Sequence, residues 1–171
     1  MDLYLLRHAI AHDLGADGSR TDFDRSLTRE GKAKMRLAAE GMKRMELHFD
    51  LILTSPLVRA RETAEIVAET FNCPERITIC QNLRTGFEPQ RFLADLSQSA
   101  RLPAVLAVGH EPDLSELAAR LIFGSERGGA LTFKKGSLCC IWLPSVVPLF
   151  PGSLRWHLTP GQLRLMAERK D

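Results

Sequence analysis

Short, continuously apolar runs alternate along the chain with longer segments whose apolar residues recur every three to four positions. The first kind reads as strands and the second as helices. Strands are predicted at 2–7 (DLYLLR), 50–55 (DLILTS), 76–83 (RITICQNL) and 103–110 (PAVLAVGH), the last the most hydrophobic. A helix is predicted over 28–45, where Thr28 can cap and Met35, Leu37, Ala38, Met42 and Met45 supply an apolar face. A second runs over 56–71, with Pro56 in a first turn that tolerates it and Ala60, Ala64, Val67 and Ala68 facing inward. Two more are predicted at 89–98 and 112–123. After a loop at 124–130, residues 131–133, 137–143 and 153–158 read as strands joined by turns, and 159–166 as a closing helical turn. Trp142, Trp156 and the segment 144–153 are read as closing the core rather than as a partner surface.

This alternation predicts an α/β architecture: one three-layer α/β/α domain over residues 1–171, with a mainly parallel central sheet and a strand pair added late. The run at 50–55 has no polar alternation, as expected of a strand covered on both faces. No internal repeat, low-complexity tract or linker interrupts the pattern.

Composition narrows the functional classes. At 171 residues, 44% hydrophobic and 26% charged, the chain has enough apolar sequence for one sizeable core. Its net charge of +2 is small and its basic residues are dispersed, which argues against a nucleic-acid partner. Asp2 precedes the first apolar run and Arg7 interrupts it, so this run is not read as a signal peptide. No stretch is long and apolar enough for a membrane span, and a monomeric cytoplasmic protein is expected. Cys73, Cys80, Cys139 and Cys140 have no CxxC spacing and are expected to be buried, reduced thiols.

Three places share one arrangement, a strand that ends in chemically capable residues. They are Arg7-His8 after the first strand, TSPLVRARETA (54–64) after the second, and Gly109-His110-Glu111-Pro112 after the fourth. In an open α/β sheet the carboxyl ends of the strands form the ligand crevice, so these segments are expected to meet. Taken singly, each has an ordinary explanation: His8 as a surface residue, Arg59 on a solvated helix face, His110 as a cap. Together they form a set suited to phosphate. Guanidinium forks match phosphate oxygens, helix starts offer free N–H groups, and nearby arginines keep an imidazole uncharged and nucleophilic. The expected chemistry is in-line attack by His8 on phosphorus, with Arg7, Arg59 and His110 on the equatorial oxygens. No metal or other cofactor is required. A zinc hydrolase built on His8, His12, His110 and His157 is disfavoured, because His8 and His12 lack an intervening glutamate and the arginines would repel a cation.

LYLLRHAIA (3–11), SPLVRARETA (55–64) and VGHEP (108–112) resemble the R-H-G, S-P-x-x-R-A-x-x-T-A and G-H signatures of the histidine phosphatase superfamily. Within it, RSLTREG (25–31) and LRWHLTPGQL (154–163) are most similar to bacterial SixA-type phosphohistidine phosphatases. The resemblance implies a phosphoglycerate mutase-like fold, His8 as the nucleophile, and Arg7, Arg59 and His110 as the phosphate pocket. It adds Arg25 as a further pocket residue and Ser55 as a pocket support, although Ser55 also suits an N-cap for the helix at 56. Ala9 stands where the family has glycine, which implies a backbone that needs neither positive φ nor the closest approach to phosphate.

Relatives that cleave alkyl esters place a carboxylic acid near the leaving group. Here the candidates for a general acid are Glu88 and Glu111, and Glu88 also suits a helix start. Without a dedicated acid, the favoured substrate is one whose leaving group departs easily, such as a phosphohistidine carried by a protein phosphotransfer domain. Two alternatives stand beside that reading. One is a phosphomonoesterase of small phosphorylated substrates that uses Glu88 or Glu111. The other is a weakly catalytic module that binds a phosphorylated ligand.

Overall fold

The first strand shows how both cores are made. Successive side chains of a strand point to opposite faces. In β1 (Asp2–Arg7), Tyr4 and Leu6 enter one apolar cluster and Leu3 and Leu5 the other, all 6% exposed or less. A strand buried on both sides must lie inside a covered sheet, and β1 does. The computed structural model describes residues 1–124, 131–146 and 151–168.

Within these residues β1 is followed by α1 (Arg29–Arg44), β2 (Leu51–Thr54), α2 (Val58–Phe71), β3 (Ile77–Ile79), α3 (Pro89–Ser97) and β4 (Ala104–Gly109). Then come α4 (Asp113–Phe123), β5 (Leu138–Trp142), β6 (Ser153–Leu158) and α5 (Pro160–Glu168). The sheet order is β3-β2-β4-β1-β5-β6. The first four strands of that order are parallel, while β5 runs antiparallel to β1 and β6 to β5. Residues of α1, α2 and α5 cover one face, and residues of α3 and α4 the other. The expected layers and the late antiparallel pair are therefore present.

The helices follow local chemistry. Thr28 caps α1, its Oγ1 accepting from Gly31 N at 2.8 Å. Met35, Ala38, Ala39 and Met42 are buried, but Leu37 is 46% exposed, because it lies off the stripe that the other four define. A Cβ on Gly41 would strike the carbonyl of Leu163, so glycine there lets α1 and α5 approach closely. Ala60, Ala64, Val67 and Ala68 of α2 are all 0% exposed, as the sequence pattern requires. That helix begins only at Val58, with Leu57 as its cap, and ends at Asn72 in a left-handed conformation.

Three predicted elements differ. The third strand stops at Ile79 and turns into a 3-10 segment at Gln81–Leu83, which tucks Leu83 into the core. Residues 131–133 form no strand. The N–H of Phe133 goes to the Glu111 carboxylate and its carbonyl to the Arg7 guanidinium, so side chains take the groups a neighbouring strand would pair. The closing turn is a full helix, α5. Trp156 packs on Tyr4 in the core, but Trp142 is 38% exposed beneath Arg155. Part of the 124–130 loop and of the 144–153 segment lies outside the described residues. The four cysteines are free and buried.

Candidate active site

The parallel strands β1, β2 and β4 all end at one edge of the sheet, and their next residues converge there. Arg7 pairs with Gly109 across β1 and β4, which sets His8 beside His110. Their ring centroids are 5.1 Å apart. Ser55, just past β2, is fastened by its N–H to Val108 O and bonds through Oγ to His110 Nε2 at 2.8 Å. Its Oγ also accepts from Leu57 N, but the α2 cap is Leu57, so the N-cap role for Ser55 is not realised.

Arg59 enters from the first turn of α2. It is 4% exposed, and its Nε lies 3.3 Å from His8 Nε2. An arginine Nε can only donate, so His8 Nε2 must be the acceptor. The other ring nitrogen agrees: His8 Nδ1 lies 2.7 Å from Ala9 O, a carbonyl that can only accept. The ring is thus fixed as the tautomer with its proton on Nδ1 and its lone pair on Nε2. Its pKa is lowered to about 3, chiefly by burial and then by His110, Arg59 and Arg7. The arginines expected to keep this ring uncharged do contribute, but desolvation dominates. His110 is likewise lowered to about 3, by burial first and then Arg59.

Ala9 accounts for the departure from glycine. It is 4% exposed and does not adopt positive φ; among the described non-glycine residues only Glu46 and Asn72 do. Its carbonyl holds the His8 ring, and its N–H donates to Thr63 Oγ1 at 3.1 Å. Thr63 in turn donates to Arg59 O at 2.6 Å, so one buried hydroxyl joins the two segments that carry His8 and Arg59. Thr63 is the threonine of the SPLVRARETA motif, to which the sequence reading assigns no role. Its position four residues after Arg59, on the same helical face, is the signal that could have found it.

Arg7 completes the floor. Its Nη1 donates to Phe133 O at 2.6 Å, while Nε is buried without a partner among the described residues. His110 Nδ1 is also buried and unpartnered. Burying an N–H without a partner is costly, so these atoms mark where an anion would be welcome.

The rim carries Arg25 and a residue that the sequence reading missed, Asp22. Asp22 lies in a 3-10 turn (Asp22–Asp24) of the loop between β1 and α1. Its Oδ2 accepts from Arg59 Nη2 at 2.9 Å, its Oδ1 from Arg25 Nη1 at 2.7 Å, and its carbonyl from Arg59 Nη1 at 2.6 Å. Arg25 Nε also donates to His12 O. Arg25 therefore joins the cluster through Asp22. The three-residue spacing between Asp22 and Arg25 was the available signal.

Neither candidate general acid touches the His8–Arg59 pair. The Glu88 side chain is 65% exposed and paired with Arg91. Both Glu111 oxygens accept from Ser115, and one also accepts from Phe133 N, holding the start of α4. Among the described residues no three His, Cys, Asp or Glu side chains gather as metal ligands.

Comparisons with known proteins show what the sequence and the fold that carry this site are similar to. Residues 3–85 match the histidine phosphatase superfamily (branch 1). An uncharacterized protein of Picosynechococcus sp. (strain PCC 7002) is 41% identical over 140 residues, covering 81% of this chain and 82% of its own. The phosphohistidine phosphatase SixA of Escherichia coli K12 is 24% identical over 168 residues, covering 96% and 98%. A solved structure of the protein histidine phosphatase SixA complexed with tungstate superposes with a TM-score of 0.83 at 24% identity, covering 95% of this chain and 99% of that one. The same fold carries a mycobacterial glucosyl-3-phosphoglycerate phosphatase, with a TM-score of 0.70 at 20% identity and 91% and 97% coverage. The chain belongs to the histidine phosphatase superfamily, and its fold is the phosphoglycerate mutase-like fold of SixA.

Proposed function

We propose that this phosphatase removes the phosphoryl group from a histidine of another protein and passes it to water through a covalent intermediate on His8. The observation that carries this reading is the contact between His8 Nδ1 and the Ala9 carbonyl. It fixes the lone pair on Nε2, on a buried ring that stays uncharged at neutral pH. Such an imidazole beside guanidinium groups is a competent nucleophile for phosphorus.

In the first step a bond forms from His8 Nε2 to phosphorus while the P–N bond to the substrate ring breaks. The electron pair of that bond goes to the substrate nitrogen. In the second step a water oxygen attacks phosphorus, the Nε2–P bond breaks with its pair returning to His8, and a water proton is released with the phosphate. Arg59, Arg7 and His110 donate to the equatorial oxygens and offset their charge. With the Ser55 hydroxyl donating to His110 Nε2, the proton of that ring sits on Nδ1, the atom without a protein partner. Neither step needs a metal ion or other cofactor.

Two features favour a protein phosphohistidine over a small ester. Glu88 and Glu111 are engaged elsewhere, so a leaving group that departs without a dedicated acid fits best. The rim presents Phe23, 43% exposed beside Asp22, as an apolar contact for an incoming protein surface. The SixA proteins named above point the same way.

The test uses a phosphotransfer domain carrying labelled phosphohistidine. The wild-type protein should release phosphate, become labelled at His8 in an acid-labile, alkali-stable form, and keep its activity in EDTA. His8→Ala should lose the label and at least about a thousandfold in rate. Equal or better turnover of p-nitrophenyl phosphate would return the small-ester reading, and phosphate binding without a label would return the binding module.

A further inference from the structure

Among the described residues Asp22 is the one carboxylate hydrogen-bonded to the guanidinium that contacts His8. We propose that Asp22 sets leaving-group specificity, favouring a phosphoryl group on an imidazole ring protonated at its other nitrogen over one on a hydroxyl oxygen. This rests on the phosphohistidine reading above and names the residue that makes the choice.

The placement follows from in-line geometry. His8 is 6% exposed and attacks from the floor, so the leaving group must depart on the opposite, solvent side of phosphorus. The Asp22 side chain is 52% exposed, on the solvent side of the 5% exposed Arg59 side chain and one guanidinium group away from the attacking nitrogen: Arg59 Nε reaches His8 and Arg59 Nη2 reaches Asp22. Partial burial pushes the Asp22 carboxyl up, but Arg25 and Arg59 outweigh this and hold it below the usual carboxylate range. It is a fixed negative charge where the leaving group passes.

Two of its acceptor positions are taken by arginines, and a carboxylate has about four. A phosphohistidine ring protonated on its other nitrogen is cationic and presents an N–H to the remaining positions. When the P–N bond breaks, its pair goes to the departing nitrogen and the ring leaves as neutral imidazole, still holding that proton. No proton need come from Asp22. An ester instead develops negative charge on the departing oxygen beside a carboxylate, which raises its barrier. The same charge therefore helps one substrate class and hinders the other.

The experiment compares phosphoimidazole with p-nitrophenyl phosphate, leaving groups of similar basicity but opposite charge behaviour. The wild-type ratio of kcat/KM values tests the phosphohistidine reading, and the change of that ratio in Asp22→Asn tests this inference. Asp22→Asn keeps the size of the side chain and the backbone contact to Arg59. It should lower phosphoimidazole turnover and raise ester turnover, shifting the ratio by about tenfold or more. Asp24→Asn, in the same turn but bonded to Thr21, should leave the ratio at its wild-type value. Equal losses on both substrates in Asp22→Asn would make Asp22 only a support for Arg59 and overturn the inference, as would an unchanged ratio.

Discussion

The floor of the site and its rim are built from different materials. On the floor His8, Ser55 and His110 are 6%, 0% and 1% exposed and sit just past the ends of β1, β2 and β4. They are held by backbone groups, a hydroxyl and the sheet itself. On the rim Asp22 and Arg25 come from a loop, with side chains 52% and 20% exposed, and are joined by an ion pair. Arg59 spans the two, its Nε on the floor and its Nη atoms on the rim. The difference separates two tasks. A nucleophile must be kept at one place and in one tautomer, which packed strands do well. Selection among substrates can rest on a few charges that change without disturbing the core.

The sharpest way to break the floor is acid. Both histidines have pKa values lowered to about 3, against an ordinary value near 6.5 once unfolded. Between these limits the unfolded chain binds more protons than the folded one, so stability rises with pH there and is lost as pH falls from 6.5 toward 3. The slope approaches about 1.4 kcal/mol per pH unit for each ring as long as both stay uncharged in the folded chain. Urea unfolding at pH 7, 6 and 5 should show this loss before carboxylates begin to titrate. His110→Asn should flatten it. An equal slope in the variant would mean that burial of these rings does not govern acid stability.

Thr63→Val attacks the same floor without touching charge. Valine keeps the shape but leaves Ala9 N–H without the Oγ1 acceptor and removes the bond to Arg59 O. An unsatisfied buried N–H costs about 1–3 kcal/mol, read as a lowered urea midpoint. Because Ala9 O fixes the His8 tautomer, kcat should fall by about tenfold while KM changes little. Thr63→Ser should restore most of it. If valine changed stability alone, Thr63 would be a core residue with no bearing on His8.

How much of this was legible beforehand divides along the same line. His8, Arg59 and His110 could be placed together because parallel strands end in register, a rule carried by hydrophobic runs that any reader of the sequence can see. Arg7 followed from the same strand ends, and Ser55 from the resemblance carried by SPLVRARETA. Thr63 was hidden because its role exists only once α2 lies against the segment after β1. Asp22 was hidden for a different reason: a polar loop has no periodicity, so nothing local tells a carboxylate that meets Arg59 from one that meets water. The missing strand at 131–133 has the same origin, since its backbone is satisfied by Glu111 and Arg7, residues far away in sequence. Leu37 shows that an apolar residue on a helix still needs the right angle to be core.

The smallest expected effect belongs to the far end of the rim. Asp17 accepts from Ser19 N, Ser26 N and Ser26 Oγ, tying the loop that carries Asp22 back toward Arg25. Its removal frees a surface loop whose other anchors remain: His12 N to Ser26 O, Leu27 N to the Glu62 carboxylate, and the Ala11–Leu27 bridge. Asp17→Ala should therefore leave the melting temperature within about 2 °C of wild type. The floor does not move, so His8 should still be labelled by phosphohistidine at the same extent. What should change is the fraction of time Asp22 spends at the entrance, seen as a severalfold narrowing of the phosphoimidazole-to-ester ratio. A loss of labelling equal to that of Thr63→Val would show that rim and floor are one mechanical unit, and the division of tasks between them would fail.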